Sequence, residues 1–249
     1  MIPVALQLYT VRDETAKDFV GTLRKVAEIG YAGVEFAGTG GLSASELKKI
    51  LDDLGLKPAG SHVGIDQLKN NLEAVIDYNL ELGNKYVVCP AIPEEMRRDA
   101  EAWRETARLL SEIGAKCAEK GLVLCYHNHA FEFQKFDGVY GYDILFESSD
   151  PRYLKAEIDV FWVKFGGEDP AEYIRRYSDR CVLVHLKDMG EDGRTFKEVG
   201  EGIIDFKPIF EACEAGRVEW YIVEQDVCQR PSLESARISF ENLKRWGKV

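Results

Sequence analysis

The sequence is short of histidine and of net positive charge. Four histidines occur in 249 residues, and 43 Asp and Glu against 32 Lys and Arg leave a formal net charge of −11. An acidic surface repels phosphate backbones and anionic lipid, so neither nucleic acid nor a membrane is an expected partner. No apolar run approaches the roughly 18 residues of a membrane span. The opening MIPVALQLYTVRDE lacks a basic segment followed by a long apolar one. The expectation is a soluble, cytoplasmic protein. None of the six cysteines forms a CxxC pair. Cys89 follows YVV, Cys125 follows LVL and Cys181 precedes VLV, which reads as reduced thiols buried among apolar neighbours. Neither GxGxxG nor a P-loop GxxxxGK occurs, which removes the local signatures of dinucleotide and nucleotide sites. No Pro-, Gly- or Ser-rich linker divides the chain, so residues 1–249 read as a single domain.

What is present is a rhythm of short apolar runs and longer helical patterns. Strands are expected at residues 3–9, 33–38, 57–64, 85–92, 122–129, 154–163, 181–188 and 219–226. Helices are expected between and after them, at 16–30, 43–55, 66–83, 94–120, 141–149, 169–178, 205–216 and 232–247. Ser43 with Glu46 three residues on reads as a capping box, and Gly30 as a C-cap. Eight strand–helix units mean parallel strands and an α/β fold, a single (β/α)8 TIM barrel. A doubly wound open sheet is the rival, and the missing GxGxxG after the first strand weighs against it.

In such a barrel the C-terminal strand ends converge on one face, which carries the chemistry. All four histidines fall at these ends: His62, His127, His129 and His185. So do Tyr9, Glu35, Glu132, Glu157, Asp159, Trp162, Lys187, Glu224 and Asp226. A carboxylate finishing a buried strand is costly unless it is paired or bound to metal. One histidine with three carboxylates offers mixed N/O ligation, which suits one divalent ion: Mn²⁺, Mg²⁺, Co²⁺, Fe²⁺ or Zn²⁺. Lys187 alternates with His185 and either meets a substrate oxygen or pairs with Asp188. VGEGIIDF (199–206) puts two glycines before a helix, where barrels often bind phosphate. A plain turn is the preferred reading, because Glu201 between the glycines does not help an anion.

The segments YHNHAFEF, AEIDVFWV, VHLKD, VGEGIIDF and VEQD, in this order and spacing, resemble the xylose-isomerase-like family of sugar isomerases and epimerases. The likeness extends to VALQLYTVRDE and GYAGVEFAG and covers essentially the whole chain. It implies one divalent metal held by residues from different strands. Asp159, His185 and Glu224 match the strand-six, -seven and -eight ligands. Many members carry a glutamate where this chain has His127, so the strand-five ligand is taken as Glu132, with His127 as the alternative. Trp162 stands where the tagatose-type epimerases carry a histidine. The family's chemistry is proton transfer next to a carbonyl, through a metal-stabilised enediolate. Glu224 is a candidate for one acid–base role and Glu132, His127 or His129 for the other. Tyr9, Glu35, His62, Trp162 and Lys187 are candidate substrate contacts.

The expected activity is isomerisation or epimerisation of a small-molecule carbohydrate: a sugar, keto-sugar or sugar phosphate. An inosose-dehydratase-like or keto-glycoside lyase reaction is the alternative. An endonuclease IV-like nuclease fits less well, given four histidines and the acidic charge. Phe240 and Trp246 in the closing helix permit a homo-oligomer.

Overall fold

Each strand forms where apolar and β-branched residues run between a helix-ending glycine or turn and a polar strand end. They are β1 (Val4–Gln7), β2 (Gly33–Phe36), β3 (Lys57–His62), β4 (Tyr86–Cys89), β5 (Val123–His127), β6 (Leu154–Asp159), β7 (Cys181–Leu186) and β8 (Trp220–Val223). In the computed structural model, which describes residues 1–249, all eight pair in parallel and close into a barrel in sequence order, β1 against β8. The principal helix after each strand packs outside: α1 (Phe19–Ile29), α2 (Ala44–Leu54), α3 (Leu72–Leu82), α4 (Ala100–Glu119), α5 (Gly141–Ser148), α6 (Pro170–Arg176), α7 (Phe206–Ala215) and α8 (Ser232–Arg245). This is a (β/α)8 TIM barrel.

Helix ends are set locally. Asp18 accepts from Gly21 N at 2.8 Å and starts α1. Ser43 and Glu46 cap each other's backbone at α2. Gly30 ends α1 with φ +117°, a left-handed conformation that favours glycine.

Alternation along the strands sorts the side chains. One set faces the barrel interior: Ala5, Ala59, Tyr86, Val88, Cys125, Leu183 and Ile222 form a small inner core. The other set joins the larger core between barrel and helices, with Leu6, Tyr126, Ile158, Val184 and Val223 among its members. Continuing the inner set by two residues reaches Gln7, His127, His185 and Glu224. The inner core is therefore capped, at the C-terminal end, by a layer of buried polar groups.

Several elements differ from the sequence expectations. Strands stop two or three residues early where their polar ends begin, and β6 stops four residues early. There the expected strand 154–163 ends at Asp159, and Val160–Phe165 is a short helix. The cause is Asp159, whose Oδ1 accepts from Trp162 N at 3.0 Å and caps that helix. The expected helix 66–83 breaks at Asn71 into Ile65–Asn70 and α3. Phe240 is buried, its ring tilted against Tyr31 at 5.0 Å, so of the two aromatics on the closing helix only Trp246 is exposed. No helix is long and apolar enough to cross a membrane.

The capping box at α2 is exposed and touches none of the four candidate ligands. Replacing Ser43 with Ala is expected to lower unfolding stability by about 1 kcal/mol in urea titration, with no change in bound metal.

Candidate active site at the barrel mouth

Strand register builds the site from neighbouring rungs. Gln7 pairs with Glu35, His127 with Glu157, and Asp159 with His185. The deeper layer is a hydrogen-bonded hub around two carboxylates. Glu157 Oε1 lies 2.9 Å from His62 Nε2, 2.9 Å from His127 Nδ1 and 3.1 Å from His185 Nε2. Glu35 Oε2 accepts from Gln7 Nε2 and from His185 Nε2, both at 2.7 Å, with His62 Nε2 at 3.2 Å. Both glutamates are fully buried. Burial pushes the His62 proton off, but Glu35 and Glu157 outweigh it and raise its pKa to about 10.

The hub decides which nitrogens are left free. His127 donates Nδ1–H inward, so its Nε2 lone pair faces outward. His185 donates Nε2–H inward, so its Nδ1 faces outward. Out there, His127 Nε2 and His185 Nδ1 each lie 3.9 Å from Asp159 Oδ2, and His185 Nδ1 lies 2.9 Å from Glu224 Oε2. The ligand atoms of His127, Asp159, His185 and Glu224 all fall within 4.8 Å of one another, so this quartet could hold a metal ion. Two tests of fit agree. Asp159 Oδ2 is buried without an aligned hydrogen bond, its nearest cation being the Lys187 ammonium at 2.9 Å. Two imidazole nitrogens with two carboxylates also form a donor set typical of divalent transition metals. His62, His127, Glu157 and His185 meet the same distance criterion. Their contacts of 2.9–3.1 Å, however, match hydrogen bonds to one oxygen.

Charge explains the remaining member. Lys187 is fully buried, with Nζ 2.9 Å from Asp159 Oδ2, 2.8 Å from Glu224 Oε2 and 3.0 Å from Asp226 Oδ2. Burial disfavours its charge, but the three carboxylates outweigh that and raise its pKa. Burial likewise pushes Glu224 up, and Lys187 and His185 hold it below the usual carboxylate range. Burial raises Asp159 to about 6. It also lowers His127 well below the ordinary imidazole value, whereas at His185 burial is outweighed by Glu157, Glu35 and Glu224, which raise it well above that value, so an ion bound there would take the place of its proton.

Above the quartet opens a cavity of about 620 Å³ lined by Tyr9, His62, His127, His129, Trp162, Phe196, Glu224 and Asp226, among others. His129 stacks on Phe131 and has no partner at Nδ1. Burial, with Lys187 nearby, lowers its pKa to about 4. Trp162 Nε1–H is also unpartnered.

The sequence candidates therefore separate. His127, Asp159, His185 and Glu224 converge, and Tyr9, His62, His129 and Trp162 line the cavity. Glu132 does not join them, as ligand or as acid–base group. Tyr126, one residue before His127, points to the opposite side of β5. Its hydroxyl donates to Glu132 Oε1 at 2.8 Å, and His129 N donates to Oε2 at 2.8 Å. Both oxygens are held on the helix side of the barrel wall. Glu35 and Lys187 are buried beneath the cavity rather than on its lining, so the structure gives neither a substrate contact. Sequence reasoning missed the roles of Glu157 and Asn128. Asn128 Oδ1 accepts from Asp159 N at 2.9 Å, and its Nδ2 donates to Asp159 O, tying β5 to β6 beyond the last paired rung. Glu157 was visible two residues before Asp159 on the same strand face, but nothing local distinguishes a hub from a ligand.

A family model of xylose isomerase-like TIM barrels matches residues 23–246. Inosose dehydratase of Geobacillus kaustophilus (strain HTA426) is 29% identical over 244 residues, which is 82% of this chain and 79% of that protein. Inosose dehydratase of Clostridium tetani (strain Massachusetts / E88) is 31% identical over 168 residues, 59% of this chain and 55% of that protein. Among solved structures, a sugar phosphate isomerase/epimerase from Parabacteroides distasonis ATCC 8503 shares the fold with a TM-score of 0.85 at 24% identity. It covers 98% of this chain and 93% of that one. An L-ribulose 3-epimerase shares it with a TM-score of 0.72 at 17% identity, over 100% and 97% of the two chains.

Metal content discriminates the two glutamates. Glu157→Gln is expected to weaken divalent-metal affinity roughly 10–100-fold in chelator competition, and Glu132→Gln to leave it unchanged. The opposite ranking would refute the quartet. Glu132 itself makes stability depend on pH. Burial raises its pKa from 4.5 to about 7 in the folded chain. Its contribution is thus fully present below about 4.5 and is lost as pH rises through about 7. The stability of wild type relative to Glu132→Gln should fall across that window and level off above it, as read by urea unfolding at a series of pH values.

Proposed function

The chain belongs to the xylose isomerase-like TIM-barrel family. On that premise we propose that it is a divalent-metal-dependent enzyme acting on a polyhydroxylated ketone, which removes the proton beside the carbonyl and expels the β-hydroxyl as water. The observation that carries this reading is the convergence of His127, Asp159, His185 and Glu224 beneath a cavity whose lining also includes the imidazole of His129.

His127, Asp159, His185 and Glu224 would hold the metal, which when bound supplies Lewis acidity to a carbonyl oxygen. Glu157 and Glu35 keep the two imidazoles turned so that their free nitrogens face the ion. Lys187 keeps Asp159 and Glu224 ionised. His129, neutral at pH 7, takes the proton from the carbon beside the carbonyl. The C–O bond at the next carbon breaks, and the departing hydroxide takes a proton from the imidazolium and leaves as water. The enol that remains beside the original carbonyl relaxes to a 1,2-diketone, its hydroxyl proton being replaced by one taken up at the carbon that lost the hydroxyl. The Trp162 ring with Phe196 makes an apolar wall.

Returning the proton without loss of water would give isomerisation or epimerisation of the same ketone. Two points favour dehydration. The curated relatives at 29–31% identity are inosose dehydratases. In addition, Glu132 is taken up by Tyr126 and the His129 backbone, which leaves His127 and His129 of the three groups that could pair with Glu224 in the two-sided proton transfer of an isomerase.

The test is incubation of metal-loaded protein with ketoses, keto-glycosides and inososes in D₂O. The expected product is one water lighter than its substrate. Chelation should abolish turnover and Mn²⁺ should restore it, while His129→Gln should lower kcat roughly 100-fold or more with metal content intact. A deuterated product of unchanged skeleton would make the enzyme an isomerase or epimerase. Turnover insensitive to chelation would sink both readings.

A further inference from the structure

Barrel enzymes commonly seat a phosphate on the glycine-rich loop after the seventh strand, where backbone N–H groups point at the anion. Here that loop already holds an anion of its own. The carboxylate of Asp188, fully buried, accepts from Gly200 N and Gly202 N at 2.9 Å each, Ile204 N at 3.1 Å and Met189 N at 2.7 Å. The glycines of VGEG are there to make this wrap possible. Gly200 sits at φ +88°, and a Cβ on Gly202 would lie 2.3 Å from Asp188 Oδ1. The start of α7 is closed in the same way, with Asp205 Oδ1 accepting from Lys207 N at 3.1 Å. An incoming phosphate would have to displace a buried carboxylate that makes four hydrogen bonds.

The cavity offers no second seat. No Lys or Arg lines it, whereas Glu224 and Asp226 do. Lys187 lies behind the lining, among three carboxylates. The arginines of the adjoining cleft are engaged. Arg12 donates to the carbonyls of Tyr9 and Asp226, both at 2.8 Å, and lies over the Tyr9 ring. Arg230 donates to Glu201. A phosphate monoester carries about −1.5 to −2 charges at pH 7. Bringing it beside Glu224 and Asp226 is unfavourable, and the one cationic side chain on the lining, the His62 imidazolium, is already paired with Glu35 and Glu157. A neutral polyol suits the same surface. Its hydroxyls can donate to Glu224 and Asp226, and its C–H face can pack on Trp162 and Phe196.

We infer that the substrate is an uncharged polyhydroxylated ketone that carries neither phosphate nor carboxylate. This rests on the reading above and narrows its substrate class.

The experiment uses the metal-loaded wild-type protein and pairs each neutral ketose or inosose with its phosphate ester, measuring α-proton exchange by NMR and binding by calorimetry. Inorganic phosphate is the competitor. The expected result is saturable binding and exchange with a neutral member, at least roughly 100-fold lower kcat/KM for the ester, and no competition by phosphate. Exchange that prefers the ester would overturn the inference and leave the metal-dependent proton-transfer reading standing. Absence of exchange with every compound would overturn that reading, and calorimetry would then decide the inference alone. Saturable binding of ester or phosphate in preference to the neutral member would overturn it, as would failure of every neutral ketone to bind.

Discussion

Burying carboxylates is the constraint on which this barrel depends. Glu35, Glu157 and Asp159 are fully buried at its C-terminal end, with Glu224 almost so, and Lys187 is the only lysine or arginine among them. Each ionised group taken from water costs several kcal/mol unless it is paired and hydrogen-bonded. The structure meets this by interleaving imidazoles. His62, His127 and His185 lie between the deep glutamates and the outer acids, and each approaches a carboxylate at 2.9 Å or closer. The arrangement that makes burial tolerable also orients the site. Every ring nitrogen turned inward to Glu157 or Glu35 leaves its partner nitrogen facing the cavity or the outer acids. Removing the hub would unsettle both the charge balance and the ligand geometry, so stability and chemistry share one set of contacts.

The coupling continues into the backbone. Asp159 has two oxygens with separate duties: Oδ1 caps the Val160–Phe165 helix and Oδ2 faces the histidines. Its N–H and C=O are both held by Asn128. The same cap places Trp162 one turn beyond, at the cavity wall. A single side chain thus ends a strand, starts a helix, presents a candidate ligand and positions an aromatic surface. The capping rule explains why AEIDVFWV, apolar and β-branched enough to continue as a strand, turns into a helix instead.

The fold was legible because its signals are local: eight apolar runs alternating with helical periodicity, and caps such as Ser43–Glu46. The convergence of Asp159, His185 and Glu224 was legible through strand alternation, since each follows an inward-facing residue by two. Glu132 was not. Its distance along the chain from His127 suggests a carboxylate able to reach back. Whether it does depends on Tyr126, which faces the opposite side of β5 and holds Glu132 there. That is a tertiary contact which spacing does not encode. Glu35 and Lys187 show the same limit. Alternation correctly turns them inward, but not how deep they lie, and depth separates a substrate contact from a charge that supports one.

HLKD concentrates the logic of the mouth into adjacent residues. His185 and Lys187 face the barrel interior, where one presents a ring nitrogen to Asp159 and Glu224 and the other stabilises their charge. Asp188, turned to the other side, organises the loop from Met189 to Ile204 through four backbone N–H groups. The internal carboxylate orders this loop permanently, where a bound phosphate would do so only while it stayed. The loop's shape is therefore independent of ligand, and Lys187 is fixed in place because its neighbour is anchored. The barrel has given up a general anion seat and gained a preorganised mouth. On the function proposed above, discrimination among substrates falls to the aromatic wall and the two lining carboxylates, groups that read hydroxyl pattern and ring face rather than charge.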